Sequence, residues 1–325
     1  MDPSRIREKI GRFRVLILGR ANAGKTNILQ RVCNSRENPE IYNSAGRKID
    51  ATILTPSTER GSHDIENEMV FRSNPGFVFH DSRGFEAGSE SEFEQVKAFI
   101  KDRSKETKIS KQLHTIWYCI PMDEASRAFT KGEIKFFSEC DTGNIPVIVL
   151  FTKFDALYDT AYAQLKSNGA SMEEAEELAP KHAEESFAIG SQLKFLYHSK
   201  EIQHRPKCHI CLPNMNKDDA DCGPLIELTA RTLDNEALKQ LFVSTQRTHL
   251  EICMRYAVER ILMKCLNSGE ITYEYHDHMI GRLGAWFPHV QAVRLLILLR
   301  ARAMLIQVIA HCSQDYVSVS IPLRA

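Results

Sequence analysis

At 325 residues, with 42 Lys plus Arg balanced by 42 Asp plus Glu, the chain has no net charge, and nothing in that balance indicates a nucleic-acid-binding field. Its 43% apolar and 26% charged residues are ordinary for a soluble protein and suffice for a substantial core. The nine cysteines are scattered rather than spaced as a framework, which fits reduced thiols in an intracellular, cytoplasmic compartment.

Read in chain order, apolar runs alternate with helical patterns. The opening "MDPSRIREKIGRF" is charged and lacks a signal-peptide apolar stretch. "FRVLILG" reads as a first strand, and directly behind it stands "GRANAGKT", Gly19 to Thr26, followed by the helix-like "KTNILQRV". Gly19, four residues, then Gly24-Lys25-Thr26 is the P-loop spacing, and the strand before it and helix after it give the pattern its context. A Gly-rich turn lets successive backbone N–H groups point inward around α- and β-phosphates, and the helix N-terminus adds partial positive charge. Lys25 is expected to reach the β- and γ-phosphates, and the Thr26 hydroxyl to ligate Mg²⁺. The polar loop "TPSTERGSHDI" offers two further hydroxyls for the metal shell, Thr58 and Ser62, with Thr58 slightly favoured.

Further along, "HDIENEMVF" has a mixed pattern ending apolar, and "GFVFHD" reads as a short buried strand ending in "HDSRG". Asp81 there is placed to hold Mg²⁺ through water, and the Gly84 N–H to meet a γ-phosphate. "EFEQVKAFIKDR" has helical spacing, "HTIWYCIP" reads as a strand and "TKGEIKFFSEC" as a helix. "IPVIVLFTK" is uninterrupted and β-branched, the strongest strand of all. It ends in "FTKFD", where the Asp155 carboxylate can accept both N1–H and N2–H₂ of guanine, a pair of donors that adenine lacks. Lys153 can lay its methylene stem along the base plane. "PLIELTA" is expected to be the last strand, with Thr229 and Ala230 behind it offering a backbone N–H to guanine O6, and a long helical pattern then runs from Asp234 to about Leu266. Alternation of this kind predicts an α/β fold, a mostly parallel sheet in three layers, with ligands outside the carboxyl ends of the strands. The ligand implied is GTP or GDP with Mg²⁺.

These elements, in this order, resemble the P-loop G-domain GTPases, and the likeness spans roughly Arg14 to Leu266. The pattern around "IWYCIPMDEASRAFTKGEIKFF" is closer to the TrmE–Era–septin-like and AIG1-type groups, and to fungal G-domain proteins, than to Ras. The resemblance carries Gly19, Asn22, Ala23, Gly24, Lys25 and Thr26 onto the phosphate loop, and Asp81 and Gly84 onto the second switch. It carries Thr152, Lys153 and Asp155 onto the guanine motif, with Thr229 and Ala230 as its weaker partner. It implies a GTPase in which Lys25, Asp81 and Gly84 serve catalysis and Thr26, Thr58 and Asp81 serve the metal, within a G domain at 12–266.

Two departures from that family shape the expectation. Where Ras-like enzymes keep a water-orienting glutamine this chain has Phe85 and then Glu86, which implies slow intrinsic hydrolysis or help from a second copy across the nucleotide face. Arg60 and Arg83 are the candidate arginines for such help. The stretch from Asp155 to Thr229 is also long, so a helical insertion is expected at about 160–222. Within it Cys208 and Cys211 form C-x-x-C, which reads either as half of a zinc site or as a plain strand, "CHICL". The C-terminal 267–325 is expected to be a helical, hydrophobic appendage. Its "VQAVRLLILLRARAMLIQVIAHC" is long enough to cross a bilayer but carries Arg294, Arg300 and Arg302, so packing on the G domain or peripheral membrane contact is expected before a span. Two functions follow: an intracellular switch GTPase, or a GTP-dependent oligomerisation module in which hydrolysis is incidental.

Overall fold

The computed structural model describes residues 8, 10–49, 64–82, 90–123, 129–245, 251 and 253–258. The elements, in chain order, begin with β1 (Phe13–Gly19), α1 (Lys25–Val32), β2 (Glu40–Tyr42), β3 (Lys48–Ile49), β4 (Glu68–Val70), β5 (Phe77–Asp81) and α2 (Glu90–Lys105). After these come β6 (Thr115–Pro121), α3 (Lys131–Glu139) and β7 (Val147–Thr152). The chain continues through α4 (Tyr158–Ser167), α5 (Met172–Ala188), α6 (Ser191–His198), β8 (Cys208–Leu212), α7 (Gly223–Thr232) and α8 (Glu236–Thr245).

All eight strands join one sheet in the order β3-β2-β4-β5-β1-β6-β7-β8. From β5 to β8 every pairing is parallel, and β4, β2 and β3 extend the β5 edge antiparallel. The apolar runs at β1, β6 and β7 are buried on both faces, as central parallel strands must be. Their side chains sort by parity into two cores. Val15, Ile17, Trp117, Cys119, Ile148 and Leu150 face α1, α7 and α8. Leu16, Leu18, Ile116, Tyr118, Val149 and Phe151 face the side built by α2 to α6. The result is the expected three-layer α/β arrangement. From β1 the chain moves to β5 on one side and then to β6 on the other, which opens a crevice at the carboxyl end of β1.

Three expectations need correction. "PLIELTA" is not a strand but the body of α7. Pro224 suits the first turn of a helix, and the buried Leu225, Ile226, Thr229 and Ala230 recur at helical spacing rather than alternating. The last strand is instead "CHICL", β8, pairing with β7 from Ile148↔Cys208 to Thr152↔Leu212. The expected insertion at 160–222 therefore does not run to its far end: the helices α4 to α6 stop at His198 and the chain rejoins the sheet at Cys208. A hairpin, β2 to β3, was not legible at all. Its turn is held by Asn43 Oδ1, which accepts from the N–H groups of Ala45 and Arg47. The appendage at 267–325 lies outside the described residues. Among those described, no helix is long and apolar enough to cross a membrane.

At the amino ends of the strands, His114 is buried with both ring nitrogens engaged. Nδ1 accepts the Arg14 N–H at 3.0 Å and Nε2 lies 2.8 Å from the Ile109 carbonyl. Burial is the main cause that lowers its pKa from 6.5 to about 4. The unfolded chain therefore takes up this proton first as pH falls. Stability from this group is complete above about pH 6.5 and is lost through about pH 4, up to roughly 3 kcal/mol. Denaturant midpoints measured between pH 7 and pH 4 are expected to fall, and His114→Gln is expected to make that fall shallower by about one proton.

Candidate functional site

Leaving β1, the backbone runs against β6 so closely that a Cβ on Gly19 would lie 2.4 Å from the Cys119 carbonyl oxygen, and Gly19 itself has φ 139°. Only glycine fits there. Asn22 and Gly24 take left-handed conformations, φ 59° and 77°, turning the loop into the start of α1. An added Cβ on Gly24 would meet nothing within 4 Å among the described residues. The first turn of α1 contains no carboxylate, and Thr26 within it is exposed. Alternating backbone hands at a helix N-terminus make an anion-binding concavity.

Lys25 folds back over this loop, its Nζ donating to the carbonyls of Gly19 and Arg20 at 3.0 Å each. Beneath it, the Arg20 guanidinium enters the protein and meets Glu133 on α3, Nε to Oε1 at 2.8 Å. Glu133 is fully buried, and its other oxygen accepts the Thr130 N–H at 2.6 Å. Burial pushes the Glu133 carboxyl up, opposed by the Thr130 N–H and by Arg20. The loop is thus tied to α3 from below.

Asp81 ends β5 opposite Ile17 of β1. Its Oδ1 is buried and has no hydrogen-bond partner among the described residues. Burial raises its pKa to about 6 against the opposing pull of the Lys25 ammonium. A buried carboxylate oxygen without a partner is costly, and a bound cation is one way to satisfy it. The Asp81 carboxylate and the Thr26 hydroxyl are both hard oxygen donors, the type Mg²⁺ takes. Thr58, Ser62, Gly84, Phe85, Glu86, Arg60 and Arg83 all lie outside the described residues.

The second half of the site begins where β7 ends. The buried Thr152 hydroxyl donates to the Ala23 carbonyl at 2.8 Å, joining the strand end to the Gly19–Thr26 loop. Lys153 adopts a left-handed conformation, φ 51°, and its ammonium pairs with Asp123 at 2.6 Å. Asp155 lies in the 3-10 turn Phe154–Leu157, and its Oδ1 accepts the Asn214 N–H at 2.7 Å. Asn214 belongs to the loop after β8 and is itself left-handed, φ 54°. Thr229 and Ala230, expected behind a last strand, do not follow one. They are part of α7, where the buried Thr229 hydroxyl donates to the Leu225 carbonyl of its own helix at 2.7 Å. The residue beside Asp155 that sequence reasoning missed is Asn214, and the signal was available in the alternation of "CHICL" followed by Pro-Asn.

The carboxyl ends of β1, β5 and β7 thus bring together Gly19, Asn22, Ala23, Gly24, Lys25, Thr26, Asp81, Thr152, Lys153 and Asp155. A separate cavity of about 780 Å³, lined in part by His114, Asn144, Arg205 and Lys207, opens at the amino ends of the strands, away from this set. Cys208 and Cys211 pack toward opposite cores of the sheet, which separates them as joint ligands. No family model and no curated protein matches this chain.

The Thr152 contact gives a test of the geometry. Thr152→Val keeps the shape but leaves the buried Ala23 carbonyl without its donor, and is expected to cost about 1–3 kcal/mol in denaturant unfolding.

Proposed function

We propose that this chain binds Mg·GTP and hydrolyses it slowly, acting as a guanine-nucleotide-dependent switch. The observation that carries this reading is the hydrogen bond from Thr152 to Ala23, because it couples a loop suited to phosphate with a carboxylate suited to a purine edge. The topology agrees with a P-loop G domain: β1 between β5 and β6, loop at its carboxyl end, and antiparallel strands beyond β5.

In this reading the loop N–H groups from Asn22 to Thr26 cradle the phosphates. Lys25 leaves its two carbonyl partners and carries its charge to the β- and γ-phosphate oxygens, where negative charge moves as the terminal phosphoryl group transfers to water. Asp81 and Thr26 would hold Mg²⁺, which when bound would supply positive charge against the phosphates. Asp155 accepts the guanine N1–H and N2–H₂ while the Asn214 N–H keeps its carboxylate oriented. Adenine would leave that carboxylate unpaired, a penalty larger than a poor apolar fit. A second reading, a GTP-dependent oligomerisation module, is favoured by Phe85 following Gly84, since an aromatic ring cannot orient water by hydrogen bonding. A GTP-dependent increase of mass in solution with little turnover is expected under that reading, and turnover at low protein concentration without a change of mass under the first.

Asp155→Asn replaces an acceptor with a donor and is expected to move preference from guanosine to xanthosine diphosphate, read by competition binding. Unchanged guanine preference in that variant contradicts the base assignment. Lys25→Ala removes charged hydrogen bonds worth about 1.5–3 kcal/mol and is expected to weaken Mg·GTP binding at least tenfold without loss of fold by circular dichroism.

A further inference from the structure

Arg31 lies on α1, the helix that follows the phosphate loop, and its side chain is only 14% exposed. It reaches across 184 to 187 residues of sequence to the loop behind β8. Its Nε donates to the Met215 carbonyl at 3.4 Å, and one terminal nitrogen to the Asp218 carbonyl at 3.4 Å. The other meets Asp218 Oδ1 at 3.1 Å. Arg36 takes the second oxygen of the same carboxylate at 2.8 Å, from an exposed position. The gripped loop is itself closed by the Lys217 N–H donating to the Asn214 carbonyl at 2.8 Å. Its Met215 side chain sits in the same core as Leu29, Val32 and Cys33 around the end of α1. The first residue of that closed turn is Asn214, whose N–H holds Asp155.

We infer that Arg31 is a positioning residue for base selection: by gripping residues 215–218 from the phosphate helix it holds the Asn214 N–H on Asp155 and so fixes the carboxylate toward the N1–H and N2–H₂ of a guanine-type base. The inference rests on the guanine-nucleotide reading above and adds to it a residue that touches neither phosphate nor base. A guanidinium suits the task because its planar fork meets two carbonyls and a carboxylate at once, which an ammonium cannot do. With the grip removed, Asp155 keeps its charge but loses its orientation, so a ligand needing two aligned hydrogen bonds suffers more than one needing a single bond.

Inosine diphosphate supplies that comparison, because it retains N1–H and lacks the 2-amino group. Competition binding of GDP, IDP and ADP to the full chain, wild type and Arg31→Ala, separates the outcomes, with Arg36→Ala as a control at the exposed partner. The expected result is that Arg31→Ala lowers the GDP-over-IDP preference about tenfold, the order of one aligned hydrogen bond to a charged group. Arg36→Ala is expected to leave that preference unchanged. Equal weakening of GDP and IDP, or no change in either, overturns the inference while leaving the guanine reading intact. A wild-type chain that does not prefer GDP to ADP overturns both. Should Arg31→Ala fail to fold, Arg31→Lys keeps the ion pair with Asp218 and loses the fork. It is expected to show the same selective loss, and an unchanged GDP-over-IDP ratio in it counts against the inference.

Discussion

The site depends on one constraint: the ends of β1 and β7, with β6 between them, must stay in fixed relation. Gly19 lets β1 pass against the Cys119 carbonyl where any side chain would collide. Two strands further on, the Thr152 hydroxyl spans from β7 to the Ala23 carbonyl. Parallel pairing sets the height of these strand ends, and the two contacts convert that height into a defined separation between the loop at Gly19–Thr26 and the carboxylate of Asp155. If either contact is lost, the sheet can persist while the site does not.

Around that frame, buried charge is used sparingly and each instance is braced. Glu133, fully buried, accepts from Arg20 and from the Thr130 N–H, so one carboxylate both starts α3 and anchors the Gly19–Thr26 loop. Removing one member of such a pair leaves an uncompensated buried charge, so the pair fixes where the loop lies more than it raises stability. Asp81 is the exception, with a buried oxygen that lacks a partner among the described residues and a carboxyl pushed up to about 6. An unsatisfied acidic group beside a lysine in a crevice is the pattern expected of a place that acts on a ligand rather than one that holds the fold together.

The central sheet was legible because its strands announce themselves: "RVLIL" and "IPVIVLF" are apolar without interruption, and buried parallel strands have no reason to alternate. The phosphate loop was legible for a different reason, since glycine at 19 and 24 answers backbone demands that hardly any other residue meets. The edge strand β8 was harder. "CHICL" carries His209 and two half-buried thiols, and although it alternates as a plain strand its C-x-x-C also admits a metal reading, while the apolar "PLIELTA" reads as the closing strand. Edge strands bury less, so their sequences carry a weaker signal, and that one exchange put the loop expected beside Asp155 at Thr229 and Ala230 rather than at Asn214. The hairpin β2–β3 escaped notice because strands of three and two residues give no period to detect. Arg31 escaped because its partners lie 184 or more residues away, and nothing local marks an arginine on a helix as a clamp.

The central claim is that one ligand engages three segments far apart in sequence, at residues 19–26, 152–155 and 213–217. Hydrogen exchange of the full chain, recorded alone and with Mg²⁺ plus GDP or ADP, measures this directly. The account predicts that GDP slows exchange in all three segments together, while ADP leaves 152–155 and 213–217 as they are in the free protein. Protection confined to residues 19–26, or the same protection by both nucleotides, would contradict it.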